Sequence, residues 1–217
     1  MSAEKFSIND ALSAGWNTMK SSFLPLLGFG LLAALVQFVP PIMMGLVLAA
    51  MGKTNEMTVN ILAVPLQAIV HCIATMGLIS IALTYVDGRT AQPGDFFSPM
   101  PQILNYIVGM ILYNAIVIVG IILFVVPGII WALKFQFVQY FIVDQQCGPI
   151  QALRRSSAIT SGAKWNLLGF NVVLILIVFA GFMCFGVGII PAALVAFLAL
   201  TSVYRQLLAN TDKAALA

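Results

Sequence analysis

One lysine, Lys134, stands inside an apolar run that starts at Phe124. A charge at the middle of a membrane-crossing helix costs roughly 2.5–3.5 kcal/mol on insertion scales, so it is first read as functional. Lys134 lies seven residues past Pro127, which is about 10 Å along a helix. There it could contact an anion or a lipid headgroup inside a helical bundle. Two structural readings stand beside that one. The long stem could carry the ammonium outward to polar surroundings, or the charge could rest against carbonyls at a helix end. No carboxylate sits at comparable depth to neutralise it.

A second group is basic and hydroxylic. Arg154, Arg155 and Lys164 flank Ser156, Ser157, Thr160 and Ser161. Gly148 and Pro149 predict a helix start, so residues 148–161 read as a basic helix. On the cytoplasmic leaflet it could grip lipid phosphates, each cation contributing about 1 kcal/mol near an anionic surface. Plain topological anchoring explains the same residues. Arg205, closing the last apolar run, joins this set as a candidate ligand or lipid contact.

Other reactive groups lead to little chemistry. His71 sits near Cys72 and Gln67 with no mid-span acid to complete a proton relay, and reads as a hydrogen-bonded packing histidine. Asn114 and Asn171 read as interhelical contacts. Ser161-Gly162-Ala163-Lys164 fits S-x-x-K but lacks the partner motifs. Gly28-Phe29-Gly30-Leu31-Leu32-Ala33 imitates a dinucleotide fingerprint without a preceding strand. A zinc protease needs two histidines at helical spacing, and the chain has one. Cys72, Cys147 and Cys184 have neither metal spacing nor a disulfide framework. The expectation is a protein that is not an enzyme and carries no cofactor and no metal.

The elements that must position these groups are set by composition. Of 217 residues 61% are hydrophobic and 8% charged, with mean hydropathy +1.04. Soluble chains are about 25% charged, so this one cannot clothe a water-facing surface. Long unbroken apolar runs predict an all-α polytopic membrane bundle rather than a barrel. The net charge of +3 is spread over loops and ends and does not point to nucleic acid.

Six spans are expected near 23–39, 59–86, 102–126, 128–143, 165–185 and 189–207, in one integral domain over 1–217. Residues 1–22 lack a signal-peptide pattern. Ile8, Leu12, Trp16, Met19 and Phe23 recur at helical spacing, and Ser7 to Asp10 resembles a capping box. This predicts an amphipathic interfacial helix. Pro40-Pro41 should break or kink the first span, leaving 42–51 as an extension or a re-entrant cap. Pro127-Gly128 and Gly186-Val187-Gly188 read as outer turns, and a short polar tail ends the chain. With both ends cytoplasmic, the inner segments hold Lys5, Lys20, Arg89, Arg154, Arg155, Lys164, Arg205 and Lys213, and the outer ones only Lys53. Eight against one is a strong positive-inside bias.

The chain also repeats itself. Ala11-Leu12 precedes Leu26-Leu27-Gly28-Phe29 by the same interval as Ala152-Leu153 precedes Leu167-Leu168-Gly169-Phe170. Span ends rhyme at Tyr85-Val86-Asp87, Ile142-Val143-Asp144 and Val203-Tyr204-Arg205. Three parallel helical hairpins are predicted, the middle one introduced by Phe96 and Phe97. Gly28, Gly30, Gly109 and Gly181 should allow close helix approach.

Val125-Val126-Pro127-Gly128-Ile129-Ile130, Val143-Asp144, Ala152-Leu153-Arg154-Arg155-Ser156, Lys164-Trp165 and Val203-Tyr204-Arg205 carry a family likeness. The chain resembles YciC-like bacterial inner-membrane proteins. It is also similar to the membrane domain fused to some glycerophosphodiester phosphodiesterases. The resemblance marks Pro127, Gly128, Asp144, Ser156, Trp165 and Tyr204 as motif residues and implies the bacterial plasma membrane. It carries no catalytic residue here, because the phosphodiesterase chemistry belongs to a separate soluble domain. The functional expectation is binding of another membrane component: lipid, a membrane-protein partner or a second copy. The alternative is a transporter or lipid carrier with its site around Lys134.

Overall fold

A computed structural model describes residues 6–52, 56–183 and 188–216, with side chains described throughout except at 56–62 and 212–216. Lys5, Lys53, Cys184 and the Gly186-Val187 part of the expected last turn lie outside the described residues. Those residues form helices and no strand. Among the described residues six helical stretches are long and apolar enough to cross a membrane.

Among the described residues ten α-helices follow in order, with a short 3-10 turn at Met100–Gln102: α1 (Ile8–Ser21), α2 (Phe23–Ala50), α3 (Glu56–Val86), α4 (Pro93–Phe97), α5 (Ile103–Leu123), α6 (Val125–Phe135), α7 (Val138–Gln145), α8 (Pro149–Ile159), α9 (Lys164–Met183) and α10 (Ile189–Leu216). The candidate spans fall into inner and outer sets. About half of the α3 and α10 windows is buried (56% and 50%), and 39% of the α6–α7 window. The α2, α5 and α9 windows are only 11–17% buried. Three inner spans therefore carry the core, and three outer ones turn mostly apolar side chains outward.

Of four expectations on boundaries, the first is met in one of its two forms and the other three need correction. First, Pro40 and Pro41 lie inside one continuous helix, so residues 42–50 extend the first span as part of α2, one of the two alternatives expected. An interior proline removes a backbone donor and usually costs about 3 kcal/mol. Before the prolines α2 packs on α3, with Leu26, Phe29 and Ala33 in one cluster with Ala74, Ile81 and Ala82. Second, Pro127-Gly128 is not the turn. The chain reverses at Phe124, which is extended (φ −161°, ψ 143°), and Pro127 falls in the first turn of α6, where no donor is needed. Gly128 serves packing instead: a Cβ there would stand 2.7 Å from the Ile121 backbone nitrogen. Third, the fourth span is two helices, interrupted at Gln136 and Phe137. Fourth, the polar tail is helical, since α10 continues to Leu216.

The shorter helices are built into the bundle. Ser7 caps α1, its hydroxyl accepting from the Asp10 amide at 3.2 Å. The buried face of α1 is Ala11, Gly15 and Met19. Gly15 lies against Val195 and Ala199, and the Ser7 amide donates to Gln206 Oε1 at 3.2 Å. So α1 runs antiparallel along α10, with Trp16 outward and 47% exposed. Helix α8 starts at Gly148-Pro149 as expected and buries Ala152, Ser156 and Ile159. Phe96 of α4 is buried, its ring seated over Gly77 of α3.

Gly109 and Gly181 allow the close approach expected of them, against Ile142 and Gly188. Gly28 and Gly30 do not, because nothing lies within 4 Å of a Cβ at either.

Candidate functional site

The inner spans end in charge. Asp87 follows α3, Asp144 lies in the last turn of α7, and Arg205 faces both from α10. The Arg205 guanidinium donates to both oxygens of Asp87, through Nε and Nη2 at 2.8 Å each. It also donates to Asp144, through Nη1 at 2.8 Å and Nη2 at 2.9 Å. Four of its five N–H groups are thus committed to carboxylates, and planar two-pronged pairing of this kind is what arginine does best. The Tyr204 hydroxyl adds a 2.8 Å bond to Asp144 Oδ2. The Tyr204 ring is fully buried and packs on Phe137, Tyr140 and Phe141. Arg89 is a more exposed neighbour, 3.3 Å from Asp87.

This clasp changes the reading of Arg205. Its donors are turned to two carboxylates of its own chain, so Arg205 joins the span ends to one another. The sequence carried a signal for this in the rhyme of the three span ends. Asp87 was missed as a site residue, because a carboxylate beside a polar loop looks like a solvated surface group.

Lys134 sits near the break between α6 and α7. Its side chain is partly buried, with Nζ 5.2 Å from the Phe135 ring centre. It makes no ion pair among the described residues. Its backbone carbonyl is the more engaged group. The Ser156 hydroxyl of α8 donates to it at 3.0 Å, and the Thr160 hydroxyl, 3.1 Å away, shares its one proton between this oxygen and the Ser156 carbonyl at 2.8 Å. Next to the break, Gln136 Oε1 accepts from Asn171 Nδ2 of α9 at 3.2 Å, while Gln136 Nε2 is buried without a partner. Carbonyl, hydroxyls and amides therefore form a polar knot where helix hydrogen bonding lapses.

The basic set does not converge. Arg154 and Arg155 are exposed on α8. Arg155 donates to Gln145 Oε1, and Arg154 edges an open hollow with Pro149 and Gln151. Lys164 stands apart at the start of α9, beside Trp165, which is 83% exposed. Burial pushes the Cys147 thiol up, opposed by the nearby Arg155 charge. Asn171 bridges helices as expected, but Asn114 donates to Met110 O of its own helix. His71 is exposed, and Gln37 Nε2 of α2 donates to its Nδ1 at 3.3 Å.

Carbon-lined grooves open between outer and inner helices. One, of about 480 Å³, lies between α6 and α9, walled by Val126, Ile129, Ile130 and Leu133 on one side and Lys164, Trp165 and Leu168 on the other. A second, of about 580 Å³, runs among α2, α3 and α10 beside Leu26, Leu78 and Phe197. A third, of about 470 Å³, follows α9 from Asn171 to Phe182. All lie within the size range of small-molecule sites, roughly 300–1,000 Å³.

Comparison with known proteins adds relatives without an assigned role. The chain is similar to the uncharacterized protein Rv2560 of Mycobacterium tuberculosis, 26% identical over 226 residues that cover 93% of this chain and 69% of the relative. The uncharacterized protein Mb2590 of Mycobacterium bovis matches with the same identity and coverage. No solved structure matches. The family described as a domain of unknown function, DUF7847, matches residues 100–210, 111 of the 217. That stretch holds Lys134, Asp144 and Arg205 but not Asp87.

Proposed function

We propose that this chain, which belongs to the DUF7847 family, is a non-enzymatic multi-pass protein of the bacterial plasma membrane that binds lipid. The observation that carries this is the set of grooves between outer and inner helices, lined almost wholly by carbon. Each is walled on one side by a little-buried span, α2 or α9, which supports acyl chains as their occupants in a bilayer. The polar contacts of the inner spans, by contrast, are occupied in joining helices to one another.

The proposal includes both termini on the cytoplasmic side, supported by the eight-to-one distribution of Lys and Arg. It includes three parallel hairpins, supported by the meeting of three equivalent span ends. The likeness to YciC-like proteins is retained on its motif residues alone. Orientation is checked by labelling cysteines placed at Met51 and Gln151, both exposed, in a chain lacking its native cysteines. Met51→Cys should react from outside and Gln151→Cys only from inside. Native Cys147 is a poor reporter because it is buried.

Native mass spectrometry after mild release from the membrane tests lipid binding. Retained phospholipid is the expected result. A stoichiometric second polypeptide on lipid-free protein would replace this reading with a subunit role. One observation favours a carrier: the break at Gln136-Phe137 beside Lys134 and the unpartnered Gln136 amide. Interrupted helices are where transporters place their sites. If so, Lys134→Met should abolish uptake of an anionic solute in proteoliposomes while leaving retained lipid unchanged.

A further inference from the structure

We infer that the α6–α9 groove is a site for one anionic phospholipid, with an acyl chain along α6 and its phosphate at Lys164. The inference rests on the lipid-binding reading above and names its site and headgroup class. Three features single out this groove. Val126, Ile129, Ile130 and Leu133 follow one another at helical spacing and present a continuous branched-aliphatic wall about 10 Å long. The opposite wall is the first turn of α9, which brings one cation, Lys164, and one largely exposed indole, Trp165. Lys164 has no carboxylate partner among the described residues, so its charge remains available to a phosphate.

The wall chemistry argues for an acyl chain over a partner helix. Helices that pack in membranes meet through small residues. This chain uses that device where it does pack, at Gly120 and Gly128 between α5 and α6. The α6 face toward the groove offers Val, Ile, Ile and Leu, which would hold another backbone away. The α9 groove and the α2–α3–α10 groove carry no ionisable side chain, so neither would discriminate a charged lipid from a neutral one. Arg154 has a charge but borders an open hollow without a long apolar wall.

The full chain, delipidated in detergent, is titrated with phosphatidylglycerol and separately with phosphatidylcholine of the same acyl chains, and bound copies are counted by native mass spectrometry. Wild type should prefer phosphatidylglycerol. Lys164→Gln should weaken phosphatidylglycerol about fivefold, the effect of one cation at an anionic surface, and leave phosphatidylcholine unchanged. Ile130→Trp and, in a second variant, Leu168→Phe fill the groove and should remove one bound copy of either lipid. Variants are compared only where their melting midpoints match wild type. Arg154→Gln is the control and should change nothing. Lipid retained equally by wild type, Lys164→Gln and both groove-filling variants overturns this site while leaving lipid binding intact. A loss of selectivity in Arg154→Gln instead moves the headgroup to α8 and also overturns it. Protein that binds neither lipid at any concentration removes the underlying reading as well.

Discussion

Replacing Arg205 with methionine tests the clasp most directly. The substitution keeps an apolar stem but withdraws four N–H donors at 2.8–2.9 Å from Asp87 and Asp144. Two carboxylates are then left facing each other, with only the exposed Arg89 still beside Asp87. Removing one partner of a fully buried ion pair costs about 3–5 kcal/mol, and an exposed pair is worth at most about 1 kcal/mol. Here the side chains are 27% exposed for Arg205 and Asp87 and 16% for Asp144, which places the expected loss at about 3 kcal/mol. For a chain of this size roughly 2–4 °C accompany each kcal/mol, so the melting midpoint in detergent should fall by about 6–12 °C. Arg205→Lys keeps the charge, but one ammonium cannot meet four acceptors in two planes, and should melt in between. The triple change Asp87→Asn, Asp144→Asn and Arg205→Met removes the like charges and should recover part of the loss, a non-additivity expected of groups in one network. Thermal melts followed by a dye reacting with newly exposed Cys72 and Cys147 give all four midpoints. An Arg205→Met midpoint equal to wild type would refute the clasp as a stabilising tie. A triple variant melting below Arg205→Met would refute the like-charge step.

Two further outcomes follow from packing and burial. Gly128→Ala puts a Cβ 2.7 Å from the Ile121 amide nitrogen, a backbone clash that should cost about 1–3 kcal/mol. Gly28→Ala, with open space around it, should leave the melt unchanged, and equal effects of the two would sink the packing role given to Gly128. The Cys147 thiol is pushed above its ordinary value of 9.0, chiefly by burial. In folded protein its alkylation should therefore climb at higher pH than that of an exposed cysteine. Stability should correspondingly decline as pH rises past 9.0, because the unfolded thiol ionises first. Arg155→Gln, by removing the charge that draws the value down, should move the alkylation profile further upward.

The spans were legible in the sequence because hydropathy acts over long windows and needs no tertiary knowledge. Where residues served packing, the local rules misled. Pro127-Gly128 has turn composition, yet its proline occupies a first helical turn and its glycine meets Ile121. Pro40-Pro41 has breaker composition, yet α2 continues through it. At Gly128 a neighbouring helix decides, and no single-chain propensity encodes that neighbour. The site shows the same division. Lys134 stood out by type alone, and Asp144 by resemblance, but the role of Arg205 needs partners 61 and 118 residues away.

Lys134 marks the place where these two kinds of information meet. The side chain drew attention as an uncompensated charge, but the structure engages its carbonyl. Ser156 donates to that oxygen, and Thr160, four residues on, turns its hydroxyl to the same place while also meeting the Ser156 carbonyl. Residues at that spacing share one helix face, so a single helix face supplies the hydroxyls around this acceptor. Helix hydrogen bonding lapses two residues later, at Gln136 and Phe137. A carbonyl near such a lapse is costly in an apolar interior unless it is met by a donor. The hydroxyl face of α8 therefore provides the polar partner that lets the fourth span be interrupted inside the bundle. Ser156 and Thr160, which looked like part of a phosphate grip, are in part the support for that interruption. The cations of α8 point elsewhere, to Gln145 and to an open hollow. On this account the basic helix has two faces with separate work: the hydroxyls hold α6–α7 in two pieces, and the arginines remain on the exposed side.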